Sequence, residues 1–416
     1  MNVSMIAIGD ELLIGQVVDT NSGDIARFLA PYGWMLKSVQ VAADSEESIK
    51  LALDRALADS DVVLTTGGLG PTKDDITKRV LCQYFGGELR EDPEVLDNVK
   101  EIFRAKGFQL NDLTRAQALV PTSCRVIQNL AGTAPIMWFE RNDKVVVCMP
   151  GVPLETRRMF PEAVLPQLLK RFGQDLSIRR HTITTTGISE SKLAMHLEAW
   201  ESALPSWMHL AYLPAQGIIR LRLEGFNSDA SALNAEFDRQ LDKMRTLTAD
   251  YLLYDGGRQP QEVLLELLAA RSLSVATAES CTGGNIARLL TSIPGSSQSM
   301  LGGIVAYSNA VKTSVLGVCP ATLDAHGAVS IPTVEEMVSG VCTRLNADVA
   351  MATSGIAGPG GAVEGKPVGT VCIAVKTPDK LFSDTFHFAG GRQQVIERAS
   401  LTAITIAIKM LSDGLN

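Results

Sequence analysis

The stretch Ala278-Glu279-Ser280-Cys281-Thr282-Gly283-Gly284-Asn285 decides how the C-terminal part of the chain is read. Ahead of it, residues 272–277 (Ser-Leu-Ser-Val-Ala-Thr) are short, apolar and β-prone. Behind it, Ile286-Ala287-Arg288-Leu289-Leu290 has helical spacing. The pattern is a strand, a tight turn and a helix N-terminus. Such a junction is expected to present unpaired backbone N–H groups and the positive end of a helix dipole. Gly283 and Gly284 let a ligand approach that backbone. Ser280, Cys281 and Thr282 place two hydroxyls and a thiol at one spot. A nucleophile beside oxyanion donors is the layout of acyl transfer. The plainer reading of the same residues is that Ser280 or Thr282 caps the helix.

Working outward, 416 residues point to two or three domains. Hydrophobic residues at 46%, charged at 20% and aromatic at 5% suit a soluble α/β enzyme rather than a disordered or fibrous chain. The net charge is −8 and there is no basic stripe, which argues against a nucleic-acid partner. Seven scattered cysteines without Cys-x-x-Cys pairs suggest reduced thiols in a cytoplasmic protein, not a disulfide framework or structural zinc site. No secretory leader is evident, and no apolar run is long enough to span a bilayer, so no membrane partner is expected.

Residues 1–165 alternate strand and helix signals. Strands are expected at 3–8, 36–41, 61–66 and 144–149, and helices at 21–29, 45–58 (capped by Ser45) and 75–84. This alternation predicts a doubly wound, mostly parallel sheet, whose ligands sit beyond the C-terminal strand ends. Three polar loops fall there: Gly9-Asp10-Glu11, Gly67-Gly68-Leu69-Gly70-Pro71-Thr72 and Pro150-Gly151-Val152-Pro153. Carboxylates gather with them: Asp10, Glu11, Asp19, Asp74, Asp75 and Glu155. Glycine loops cradle phosphates, and grouped carboxylates hold a divalent ion. Singly, Asp19 and Asp75 read as helix caps; together the set favours a phosphate-plus-metal site.

These loops, with Asp19-Thr20-Asn21 and Asp74-Asp75, resemble the molybdopterin-binding-type domain at the N-terminus of CinA (competence/damage-inducible) proteins. The resemblance implies a metal-dependent ADP-ribose pyrophosphatase. Gly67, Gly68, Gly70, Thr72, Asn21 and Gly151 would contact ligand or phosphate, and Asp10, Asp19, Asp74 and Asp75 the metal.

Residues 166–254 alternate like strands with one exposed face at 181–186, 208–213 and 217–223, with helices at 190–200 and 229–244. A small α+β module, ferredoxin-like or KH-like, is expected. A KH module needs a Gly-x-x-Gly loop, and none occurs here. The segment reads as a spacer or dimerisation element, and a homodimer is expected. Asp255-Gly256-Gly257-Arg258-Gln259-Pro260 reads as a linker.

The third domain, 261–416, should carry a helix at 261–270, a strand at 303–307, a helix bearing Lys312, a helix at 334–345, a strand at 348–353 entering Ser354-Gly355-Ile356-Ala357-Gly358-Pro359, paired strands at 369–375 and 381–388, and a closing helix at 392–411 with Val395, Ala399, Ala403 and Ile406 on its apolar face. The five histidines fit no catalytic signature, so a Ser–His–Asp triad is not expected. Lys312, desolvated enough to lose its proton, and Tyr307 are the better bases for Ser280. A solvated helix lysine and a core-edge tyrosine are the bland alternatives.

The Ser280 motif, with Tyr307-Ser308-Asn309, Lys312, 353–359 and Gly369, resembles the CinA C-terminal domain, similar to nicotinamide-nucleotide amidase. It implies hydrolysis of the carboxamide of nicotinamide mononucleotide (NMN) to nicotinate mononucleotide and ammonia, with no cofactor. Ser280 would be nucleophile, with Tyr307 and Lys312 as proton-transfer partners. Thr282, Gly283, Gly284, Asn309, Ser354, Gly355, Gly358 and Arg392 would contact the substrate. Two rivals remain open: a competence or DNA-damage accessory acting by binding, and Cys281 as nucleophile.

Overall fold

The computed structural model describes residues 1–72, 75–105, 107–173, 177–215 and 217–412. Contacts group the chain into two compact units: Met1–Ile178 with Phe226–Leu233, and Arg179–Gly225 with Asn234–Asn416.

The first unit begins with β1 (Val3–Ile8), β2 (Leu36–Ala42) and β3 (Val62–Thr66). It continues with β4 (Leu89–Glu91), β5 (Leu119–Pro121), β6 (Arg125–Ile127), β7 (Ile136–Arg141) and β8 (Lys144–Met149). Six strands form one sheet in the order β2-β1-β3-β8-β7-β6, while β4 and β5 pair separately. β1 lies parallel to β2 and β3, and β3 parallel to β8; β7 and β6 close the edge antiparallel. Every residue of β1 and β3 is buried, as a strand covered by helices on both faces requires. One core packs Val3, Met5, Val62 and Leu64 against Ile25 and Leu29 of the helix Asn21–Leu29. The other packs Ile6, Ile8 and Val63 against Ile49 and Leu53 of the helix Glu46–Asp59. Ser45 caps that second helix through the Ser48 amide, 3.3 Å away. The sheet is the doubly wound one expected. One boundary moves: the helix expected from Asp75 starts at Thr77, because Asp75 turns back onto the glycine loop.

The second unit contains β9 (Ser177–Thr186), β10 (Met208–Ala215), β11 (Ile218–Asn227) and β12 (Leu252–Asp255), ordered β10-β11-β9-β12. With the helices Glu190–Glu201 and Ala230–Leu247 this is a β-α-β-β-α-β arrangement, the ferredoxin-like alternative. The strand β12 extends to Asp255, and the next helix starts at the buried Pro260. Both ends therefore trim the stretch read as a linker.

Next come β13 (Val275–Glu279), β14 (Met300–Val305), β15 (Val349–Gly355), β16 (Thr370–Lys376) and β17 (Leu381–His387), ordered β14-β13-β15-β16-β17. β13 is parallel to β14 and β15, and the last two strands run antiparallel. The helices Pro260–Ala270 and Arg392–Ser412 cover one face, and Ile331–Leu345 the other. On the closing helix Ala407 is buried rather than Ile406, which is half-buried.

Gly340 lets the helix Ile331–Leu345 press on the segment just after Lys312: a Cβ there would land on the Leu316 carbonyl oxygen. Alanine gains about 1 kcal/mol over glycine in a helix interior. Overpacking costs about 1–3 kcal/mol, and here the obstacle is backbone, which cannot rotate away. Gly340→Ala is therefore expected to lower the denaturant midpoint, against its helix propensity. An unchanged or raised midpoint would mean that the two segments separate freely.

Candidate active site and acidic cleft

In the second unit the Ser280 turn follows the C-terminal end of β13, and Lys312 sits on the helix Asn309–Ser314, capped by Ser308. Lys312 is 1% exposed and Ser280 8%. Lys312 Nζ lies 3.0 Å from Ser280 Oγ, 2.9 Å from the Ala306 carbonyl and 3.4 Å from the Tyr307 carbonyl. Burial pushes its amine below the ordinary lysine range, only partly countered by Cys281. A neutral amine has two N–H donors and one lone pair. Nζ donates to Ser280 Oγ as it does to the two carbonyls; once it gives up a proton, the carbonyls can keep the two remaining donors and leave the lone pair for the Ser280 hydroxyl.

The turn is held by a residue to which the motif gave no role. Glu279 is 1% exposed. Its carboxylate accepts from the amides of Gly284 (3.0 Å), Ile286 (3.0 Å) and Ala287 (2.9 Å). The helix N-terminus is thus already capped, by Glu279 and not by Ser280 or Thr282. The residue at its N-cap is Gly284, with φ 94°. This corrects the expectation that the junction offers the helix dipole to a ligand. Gly283 and Asn285 amides are also spent, on the Ser280 and Thr282 carbonyls. Ser280 N–H donates to the Thr353 carbonyl at 2.9 Å, and the hydroxyls of Thr282 and Thr353 meet at 2.7 Å. The Cys281 amide faces its own thiol, and the Thr282 amide has no backbone acceptor among the described residues.

Tyr307 is 62% exposed and lies in the turn after β14 rather than ending it. Its phenol accepts from Arg392, 3.0 Å away, so its carbonyl and not its hydroxyl meets Lys312. Arg392 also donates to the Gly358 carbonyl at 2.8 Å. Ser354 is buried, with its hydroxyl committed to the Ala328 carbonyl at 2.6 Å. Gly355 serves strand packing: a Cβ would lie 2.7 Å from the Thr370 carbonyl. Asn309 is exposed at the start of the Lys312 helix.

The first unit holds a cleft of about 440 Å³ at the C-terminal ends of β1, β3 and β8. It gathers Asp19, Asn21, Gly67, Gly68, Gly70, Asp75 and Gly151, as expected, with Glu11 and Glu155. Asp75 braces the glycine loop, accepting from the Gly70 amide at 2.8 Å, the Thr72 amide at 2.9 Å and the Thr72 hydroxyl. Asp19 is bonded to the Ser22 amide at 3.1 Å and to the Ser22 hydroxyl. Asp10 pairs with Asp44, each backbone amide donating to the other's carboxylate at 3.0 and 3.1 Å. Asp44 was missed in the sequence, although it stands just past the end of β2, where the topology rule would have found it. Burial, with Asp10, Glu11 and Asp75 nearby, raises its pKa. Among the described residues no three His, Cys, Asp or Glu side chains form a group that could hold a metal. Asp74 lies outside the described residues.

Residues 4–170 match the family described as "Probable molybdopterin binding domain", and residues 258–411 the "CinA C-terminal domain". A CinA-like protein of Flavobacterium psychrophilum is 38% identical over 98% of this chain and 98% of its own. The chain belongs to the CinA family. A CinA-like protein of Chloroherpeton thalassium is 40% identical over 99% of this chain and 100% of its own. Among solved structures, a competence-damaged protein (CinA) superfamily protein from Klebsiella pneumoniae is similar at 34% identity. It covers 38% of this chain and 99% of its own, with a TM-score of 0.36. Among the described residues no helix is long and apolar enough to cross a membrane.

In this CinA chain Cys281 is 6% exposed and belongs to the apolar core beside Ile286 and Val371. Burial pushes its thiol up to about 12. Cys319, by contrast, is exposed. Iodoacetamide at pH 8 should label Cys319 well before Cys281, read by peptide mass spectrometry. Early modification of Cys281 would restore it as a nucleophile.

Proposed function

We propose that the second unit hydrolyses the carboxamide of NMN to nicotinate mononucleotide and ammonia. One observation carries this reading: a buried lysine amine, depressed by desolvation, 3.0 Å from a serine hydroxyl. Lys312 takes the hydroxyl proton as Ser280 Oγ attacks the amide carbon. The oxyanion meets the Thr282 amide, a donor left over once Glu279 has capped the helix. Lys312 returns the proton to the departing nitrogen, ammonia leaves, and water attacks the acyl-serine by the same route. Arg392, exposed beside Tyr307 and Gly358, would meet the 5′-phosphate.

A second activity is favoured by the acidic cleft of the first unit: metal-dependent cleavage of ADP-ribose. Carboxylate oxygens suit a hard divalent ion. Burial first, and then the like charge of Asp10, Glu11 and Asp75, raises the Asp44 pKa, and a cation would relieve the like charge. No three of these carboxylates meet as a group among the described residues, so the cleft would hold the ion only together with the diphosphate oxygens. The ion would offset charge on the phosphates. Asp75 keeps the glycine loop in shape. The competence-accessory reading gains no observation here.

Ser280→Ala should lower ammonia release from NMN by about 10⁶, as loss of a nucleophile does. Lys312→Met should fall nearly as far, because groups acting as a unit are not additive. Wild-type NMN turnover in either variant, each checked by circular dichroism, rejects the assignment. The base acts when deprotonated, so the rate should rise as pH passes upward through the depressed lysine pKa and then level off. A rate that falls across that range rejects Lys312 as base.

Asp75→Asn should impair ADP-ribose cleavage and spare the amidase, followed by product chromatography. Wild-type protein inert toward ADP-ribose under several divalent ions would remove the second activity.

A further inference from the structure

The cleft of the first unit contains two acceptors that the protein itself does not use. Asn21 and Gln117 both line it, with 6% and 2% of their surface exposed. Asn21 Oδ1 and Gln117 Oε1 are buried without a hydrogen-bond partner among the described residues. The Asn21 amide is oriented by its other atom, since Nδ2 donates to the Gly151 carbonyl at 2.8 Å. Gln117 is fixed from its backbone: Lys78 Nζ donates to its carbonyl at 2.9 Å, in the turn Ala116–Ala118. A buried oxygen left unpaired bears its full desolvation penalty. Two of them in one cleft call for a donor from outside. Above them the lip is apolar and open to solvent, with Val17, Val18 and Val152 at 52%, 79% and 51% exposure. Such a lip gains from a flat ring lying across it.

We propose that Asn21 and Gln117 read a hydrogen-bond donor on a nucleotide, a ribose hydroxyl or an exocyclic amino group, while the valine lip covers its ring. A pocket built to bond such a group rejects an analogue lacking it, because the acceptors stay unpaired. The inference rests on the nucleotide reading of this cleft and adds Gln117 as a specificity residue.

The test uses the full chain and its Gln117→Met variant, which keeps length and removes the oxygen. Calorimetry with magnesium measures the α,β-methylene analogue of ADP-ribose, its ribose-deoxy forms and its inosine counterpart. AMP and ADP extend the panel. Gln117→Met should bind the parent analogue at least tenfold more weakly, yet melt, ligand-free, at the same temperature or higher. One deoxy or deamino analogue should lose affinity for the wild type and little for the variant, which tells hydroxyl from amino group. Unchanged affinity in the variant overturns the proposal, and so does a lower ligand-free melting temperature, which would mean that the oxygen has a structural partner. Gln117-dependent binding of another nucleotide, without binding of the ADP-ribose analogue, would reject the substrate reading and leave this inference standing. Failure of the whole panel rejects both.

Discussion

Three hydrogen bonds from the Gly284, Ile286 and Ala287 amides to the buried Glu279 carboxylate are the constraint on which the reactive turn depends. They tie the last residue of β13 to the helix that follows and leave Ser280 no freedom to drift from Lys312. They also consume the helix end that usually attracts anions. The site must therefore stabilise negative charge with other donors. Burial, rather than a neighbouring cation, lowers the pKa of Lys312, and the two carbonyls hold Nζ beside Ser280.

The first unit uses a carboxylate in a similar way. Asp75 gathers the amides of Gly70 and Thr72, as Glu279 gathers those of its helix. In both units a parallel strand near the sheet centre, β3 or β15, runs into a glycine-containing loop, and side chains from neighbouring elements hold the turn beside it. The loops alike place backbone at the strand ends, where open α/β sheets bind ligands. The chemistry differs because one rim is carboxylate-rich and the other carries a lysine and a serine.

The architecture was legible because periodicity reports burial directly: β1 and β13 read as apolar runs and are fully buried. Ser280 and Lys312 were read from the sequence as nucleophile and candidate base, but not the distance between them, since their meeting depends on β13 and β14 lying side by side. Glu279 stood inside the quoted motif and was passed over, because a charged residue ending an apolar strand reads as solvent-facing; only the fold turns it inward. Tyr307 was read as a proton relay from its position, which places the residue but not the direction of its phenol. Asp44 and Gln117 belong to no motif, and they reach the cleft through sheet order and a turn of irregular backbone.

The capped helix end has a consequence for ionic strength. Added salt largely screens exposed charges more than about 10 Å apart at 0.1 M and reaches buried contacts far less. Arg392 is exposed, whereas Lys312 and Ser280 are enclosed. On the proposed reading, capture of an anionic nucleotide by the second unit belongs to the solvent, and the bond-breaking step to the interior. Under that reading added salt raises KM and leaves kcat alone, a separation that a dipole-driven oxyanion site open to water would not display.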